Sequence, residues 1–347
     1  MILNCTGKQM KLDLHKTDLI SVAAKAAKLI PLLFALYPNF ALAHDDADHC
    51  KAVKASVADA GFSDVVRVTC ESGKAIITSN TYPNHTLMTG IVGTNEQVPV
   101  PAKDYAAPIL LEPVLGTTPK TRDAALGVAV NGVPIYDYTG GGEMTLDDLK
   151  HHQEQHDTLQ TEQLDVCGGH AGRGDDYHYH VKPSCMIEQM KNAGDAAIIG
   201  WAFDGFPIYG DNNPDGTPIA IGELDVCNGK TDDTFIYRYH TSTKAPYIIQ
   251  CLMGEVGDMD DLPRVSPLKA AGGWFNWSGK SAGVPPRGGV ENLTFTQDGN
   301  GRRSMDYVYE GEAYYMRYTP SQTPDCYDFE TRTITDGGSV ETGEYCR

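Results

Sequence analysis

The chain has 347 residues, a formal net charge of −18, 41% hydrophobic residues and 21% charged ones. That balance supports a buried core and excludes bulk disorder. The negative sum speaks against a nucleic-acid backbone or an anionic membrane as partner, since both carry the same sign, and it favours cations.

Residues 1–43 read as a signal peptide. Lys8, Lys11, Lys16, Lys25 and Lys28 precede or open the apolar run LIPLLFALYPNFALA (29–43), which ends in Ala41-Leu42-Ala43, an A-x-A cleavage pattern. The run is too short and too broken by proline to make a stable membrane anchor. Cleavage removes Cys5 and leaves an even set of cysteines, which fits a periplasmic or secreted protein. The spacing predicts the disulfides Cys50–Cys70, Cys167–Cys185, Cys227–Cys251 and Cys326–Cys346. Cysteine ligation of a metal is the rival reading, though no CxxC occurs.

Residues 44–78 are expected to form an N-terminal helix/strand segment closed by a disulfide. HCKAVKASVADAGF (49–62) has helical spacing, and VVRVTC (65–70) and KAIITSN (74–80) are β-rich. Residues 79–253 form the main domain. Within it TYPNHT (81–86) is a turn carrying His85, and SCMIEQMKNAG (184–194) is a short helix. TLDDLKHHQEQHDTL (145–159) reads as a polar helix with His152 and His156 on one solvated face. Residues 254–290 read as a Gly/Pro-rich loop or linker containing Trp274 and Trp277. Residues 291–347 form a β-rich tail, with a strand pair turning near Gly311.

The centre of the chain repeats itself, over 127–185 and 200–251. GVAVNGVPIYD (127–137) matches GWAFDGFPIYG (200–210), each with an Asn-Gly or Asp-Gly turn of the type I′ hairpin kind. LDVCGGHAGRGDDYHYH (164–180) matches LDVCNGKTDDTFIYRYH (224–240). The expected fold is mainly β with a few short helices (α+β). Two units of hairpin, disulfide loop and YxYH strand pack as one disulfide-stapled domain.

In a strand, residues two apart share a face, so His178 and His180 point one way and Tyr177 and Tyr179 the other. Such a pair gives two imidazoles either to one transition metal or to hydrogen bonds inside a small sheet. His170 on the loop GGHAGRG supplies a third, with Asp175 and Asp176 as outer acceptors. The repeat sorts these residues: His180 is matched by His240, whereas His170 is matched by Lys230 and His178 by Arg238. Residues present in one unit only are the stronger functional candidates. Lys230 and Arg238 read either as solvated cations or as a substrate-binding pair for a small anion. DNNPDG (211–216) reads as an Asx turn, or as a calcium loop through Asp211, Asn213 and Asp215. No P-loop, GxGxxG or GxSxG occurs, which speaks against nucleotide and α/β-hydrolase chemistry.

LDVCGGH…YHYHVKPSC, followed by IIGWAFDGFPIYG and LDVCNG…YRYH, resembles the YHYH-domain family of exported proteins, from SNTYPNH (79–85) to Cys251. The resemblance implies export and a disulfide-bearing domain, and it leaves the chemistry to the residues. Two functions are therefore expected. One is an exported metal-binding protein holding copper or zinc on His170, His178 and His180, either with His240 or His85 as fourth ligand or with that position open to water or substrate for metal-dependent catalysis on a small or anionic substrate. The other is a non-metal binding or adhesion module on the same scaffold, with structural calcium.

Overall fold

The helical spacing after residue 45 produces α1 (Asp46–Ala60), which turns Val53, Val57 and Ala60 into the core. The computed structural model in which this is seen describes residues 46–94, 96–172, 176–265, 269–270 and 289–347. The expected signal peptide and the stretch around Trp274 and Trp277 lie outside the described residues. Among those described, no helix is long and apolar enough to cross a membrane. The Cys50–Cys70 disulfide ties α1 to β1 (Arg67–Glu71), which pairs with β2 (Lys74–Ser79) and, through it, β3 (Tyr105–Leu110). Alternation in β3 buries Tyr105, Ala107 and Ile109 on one face, as expected for a half-buried strand. β4 (Leu115–Lys120) follows.

The main sheet comes next. Its strands are β5 (Gly127–Ala129), β6 (Pro134–Ile135), β7 (Gly169–Ala171), β8 (Tyr177–Tyr179), β9 (Ile198–Ala202), β10 (Pro207–Tyr209), β11 (Gly229–Asp232) and β12 (Ile236–His240). Their spatial order is β11-β12-β10-β9-β5-β6-β8-β7, so the two halves mirror each other about the central β5–β9 pair. At that pair Gly127 faces Ala202, Val128 faces Trp201 and Ala129 faces Gly200. Outward on each side, Ile135 pairs in parallel with Tyr179, and Ile208 with Tyr239. At the edges His170 faces His178, and Lys230 faces Arg238. The repeated stretches thus occupy matched places in one sheet. Their inward side chains, including Val128, Ile135, Trp201, Phe206 and Ile208, are fully buried.

The hairpins differ from the type I′ expectation. In the first, the Gly132 amide donates to the Ala129 carbonyl and the Ala129 amide to Val133; Gly205 with Ala202, and Ala202 with Phe206, repeat the pattern. Only the glycines adopt positive φ, 81° and 92°. This is a three-residue loop, a type I turn closed by a left-handed glycine, not a two-residue turn. The polar stretch 145–159 also departs from expectation. A single 3-10 turn, Asp148–Lys150, forms, and the rest is turns, bends and an isolated bridge at Asp157. Its one strongly buried apolar residue is Leu149, so no apolar stripe exists to hold a longer helix. The backbone instead bonds outward, with Gln153 donating to the Tyr138 hydroxyl and Gly140 to the His156 carbonyl.

Beyond β8, α2 (Ser184–Gln189) carries Cys185 to Cys167. After β12, Cys251 closes on Cys227, and β13 (Leu252–Gly254) pairs with β4. Part of the expected linker is therefore strand, and β14 (Lys269–Ala270) pairs with the last strand of the chain. The tail strands are β15 (Glu291–Gln297), β16 (Arg303–Tyr309), β17 (Glu312–Pro320), β18 (Cys326–Arg332) and β19 (Val340–Cys346), an antiparallel meander. Cys326 faces Cys346 across β18 and β19 and is bonded to it. The buried Glu96 carboxylate accepts from Tyr307 and from the amides of Ile334 and Thr335, which fastens this sheet to the rest. The chain is mainly β, with four disulfides joining the pairs read from spacing.

Candidate metal centre

The outer strands β7 and β8 bring His170 and His178 directly opposite each other, and His180 follows on the same face. All three are buried, with 3 to 5% of their surface exposed. His180 Nε2 lies 2.9 Å from His178 Nε2 and 3.1 Å from His170 Nε2. The rings stand steeply to one another, at 65° to 81°.

The opposite edges of the rings fix which nitrogens carry protons. His180 Nδ1 contacts the Asp137 carbonyl oxygen. His178 Nδ1 lies 3.2 Å from the Asp176 carbonyl oxygen. The backbone of Gln163 bonds the His170 ring. A carbonyl only accepts, so His178 and His180 protonate Nδ1 and turn Nε2 lone pairs toward each other. Lone pairs at 2.9 Å repel unless a proton or cation lies between them. Burial, with His178 beside it, holds His170 down to about 3. Burial, with His178 and His170 beside it, holds His180 well below its ordinary value. Neutral imidazole is the form that binds metal. Nitrogens held about 2.0–2.1 Å from one tetrahedral ion stand roughly 3.3 Å apart, so small outward movements suffice. Together the three residues are a group that can hold a metal ion.

Glycine and tyrosine shape the pocket. A Cβ on Gly172 would stand 2.3 Å from His178 Cε1, so the close approach of this backbone to the ring requires glycine. Tyr136 stacks on His178 with centroids 4.1 Å apart. The Asp176 carboxylate lies 3.6 Å from His178 Nδ1, beyond hydrogen-bond range, and its Oδ2 is buried without a hydrogen-bond partner. The main-chain carbonyl, not the expected carboxylate, therefore orients this ring. Asp175 lies outside the described residues.

The alternate tyrosines serve the scaffold. The Tyr177 hydroxyl donates to Asp165, and Asn131 donates to the Tyr179 hydroxyl. In the second unit, Tyr237 donates to Asp225 and Tyr239 to Asp204. Asp165 also accepts from the amides of Cys167 and Gly169, as Asp225 does from Cys227 and Gly229.

The remaining sequence candidates are placed elsewhere. His85 Nε2 bonds the Tyr179 hydroxyl at 2.8 Å, on the face of β8 opposite the cluster. His240 sits in the second unit, its Nδ1 2.9 Å from the Gly210 carbonyl oxygen and its Nε2 accepting from Arg238. Neither joins the three histidines as a fourth ligand. Arg238 is used on every nitrogen, by His240, Asp232 and Asn213, and Lys230 bonds Glu223 and Asn213. Both cations are thus committed to partners within the fold. Asp211 bonds Lys182 and Thr241, Asn213 faces the two cations, and Asp215 accepts from the amide and hydroxyl of Thr217. The oxygens read as a calcium loop are thus engaged by cations, hydroxyls and a turn. His152 bonds Asp157 at 2.6 Å.

Asp137, Gln163 and Gly172 escaped notice in the sequence. Gly172 carried a signal, since its counterpart Asp232 differs, whereas Asp137 and Gln163 bond through their backbones, which no side chain announces.

A disulfide-linked β domain with a buried trio of histidines is the class that fold and site define. Within it, residues 106–218 match the family model described as YHYH protein, in agreement with the resemblance read from the sequence. That span is about a third of the chain and covers all three histidines. No curated protein and no solved structure matches the chain.

Proposed function

We propose that this is a periplasmic or secreted metal-binding protein that holds one copper or zinc ion on the Nε2 atoms of His170, His178 and His180. The observation that carries the reading is the convergence of these nitrogens at 2.9 and 3.1 Å while the ring edges opposite bond to the main chain. Imidazole donors suit both metals. The four disulfides fit an oxidising compartment, where copper and zinc centres and cystines coexist. Main-chain acceptors behind the rings fix their tautomer and orientation, as around established imidazole–metal centres.

Equilibrium dialysis of untagged protein against copper(II) or zinc(II) tests the proposal. One equivalent is expected for the wild type and for His152→Ala, and none for His178→Ala. Equal binding by wild type and His178→Ala would place the metal elsewhere.

A further inference from the structure

The second unit shows what fills the matched location when no metal is held there. Asp137 and Gly210 are equivalent, since each carbonyl accepts from the last histidine of its YxYH strand. Three residues further on stand Gly140 in the first unit and Asn213 in the second. Asn213 Oδ1 reaches Arg238 and Lys230, the counterparts of His178 and His170. In the second unit a side chain at this position therefore covers the two residues that stand where His178 and His170 stand in the first. Gly140 has none to offer.

Resting on the metal-site reading, we infer that the fourth coordination position is left open on the Gly140 side, and that the ion takes a small exogenous ligand there. Gly140 is exposed, so the position communicates with solvent. The three rings retain only 3 to 5% exposure, which limits the ligand to a few atoms, such as water or a triatomic anion. A tetrahedral ion with three imidazoles has one such position, and among the described residues the metal-capable group contains no fourth donor.

The surroundings of Gly140 fit this role. A Cβ there would lie 3.3 Å from Thr158 Cγ2 and 3.7 Å from Gln163 Oε1, so the Gln163 amide borders the opening. The backbone of the same glutamine bonds the His170 ring. The bridge Thr139–Asp157 encloses residues 140–156, whereas its counterpart Asn212–Pro218 encloses only 213–217. The longer segment belongs to the unit that carries the histidines, and its His156 carbonyl accepts from the Gly140 amide, which fixes the rim.

Azide is the probe, titrated into the copper(II)-loaded protein and followed by its charge-transfer absorption. Wild type and Gly140→Ala bind azide. Gly140→Asn, which copies the second unit, keeps one equivalent of copper and binds azide more than about tenfold more weakly. Gly140 does not require a positive φ, so the substitution is compatible with its backbone. Unchanged azide affinity in Gly140→Asn, or no azide response in the copper-loaded wild type, overturns the inference while leaving the metal site standing. Loss of copper from Gly140→Asn overturns it too, because the asparagine would then be displacing a ligand. Failure of the wild type to bind copper or zinc sinks the metal-site reading itself, and this inference with it.

Discussion

Gly172→Ala gives the sharpest geometric test of the histidine cluster. The new Cβ stands 2.3 Å from His178 Cε1 and 3.3 Å from each of that ring's nitrogens. Relief of the contact demands a ring shift of about 1 Å, several times the ~0.2 Å tolerance of a metal–ligand bond. Tyr136, stacked at 4.1 Å on the same ring, restricts where it can go. The opposite remedy, a shift of the β7 backbone, strains its pairing of His170 with His178. The fold survives, since the second unit carries Asp232 at the matched position; overpacking costs about 1–3 kcal/mol. Metal affinity falls by at least ~100-fold, because one of three donors leaves its place. Competition against a chelator of known affinity measures this, with urea melts of the apo protein as the stability control. Unaltered metal affinity in Gly172→Ala refutes the role given to His178.

Three further outcomes follow from the packing. Burial raises the Asp204 carboxyl to about 6, above its ordinary 3.8, despite bonds from Tyr239, Gly254 and Phe206. Its contribution is therefore full below pH ~4 and lost as pH rises through 6, roughly 3 kcal/mol by pH 7; urea melts from pH 4 to 7 should show this slope reduced in Asp204→Asn. Arg238→Ala leaves the Asp232 carboxylate buried without its ion-pair partner and should cost about 3–5 kcal/mol in the same assay. Replacing both Cys167 and Cys185 by serine opens a loop of sequence separation 18 and should cost ~3 kcal/mol by chain entropy, with a lowered urea midpoint as the readout.

Much of this was legible in the sequence because its signals are local. Cysteine spacing, the Asn-Gly and Asp-Gly turns and the YxYH alternation each mark one short element, and the repeat set His170 and His178 apart before any coordinates. What stayed hidden depends on register. The partners of Lys230 and Arg238 come from Asn213, Glu223 and Asp232, and only sheet pairing brings these acids and amides to the cations. The same holds for Asn131 under Tyr179, 48 residues away in the chain and 2.9 Å away in space. The stretch 145–159 misled because polar helical composition says nothing of a buried stripe, and here the backbone found partners in Tyr138 and Gly140 instead.

X-ray absorption at the copper or zinc edge, on protein reconstituted with one equivalent, tests the central claim most directly. Three imidazole nitrogens at about 2.0–2.1 Å are expected, reduced by one in His178→Ala. A shell of carboxylate oxygens or sulfur, or spectra identical in wild type and His178→Ala, would contradict it.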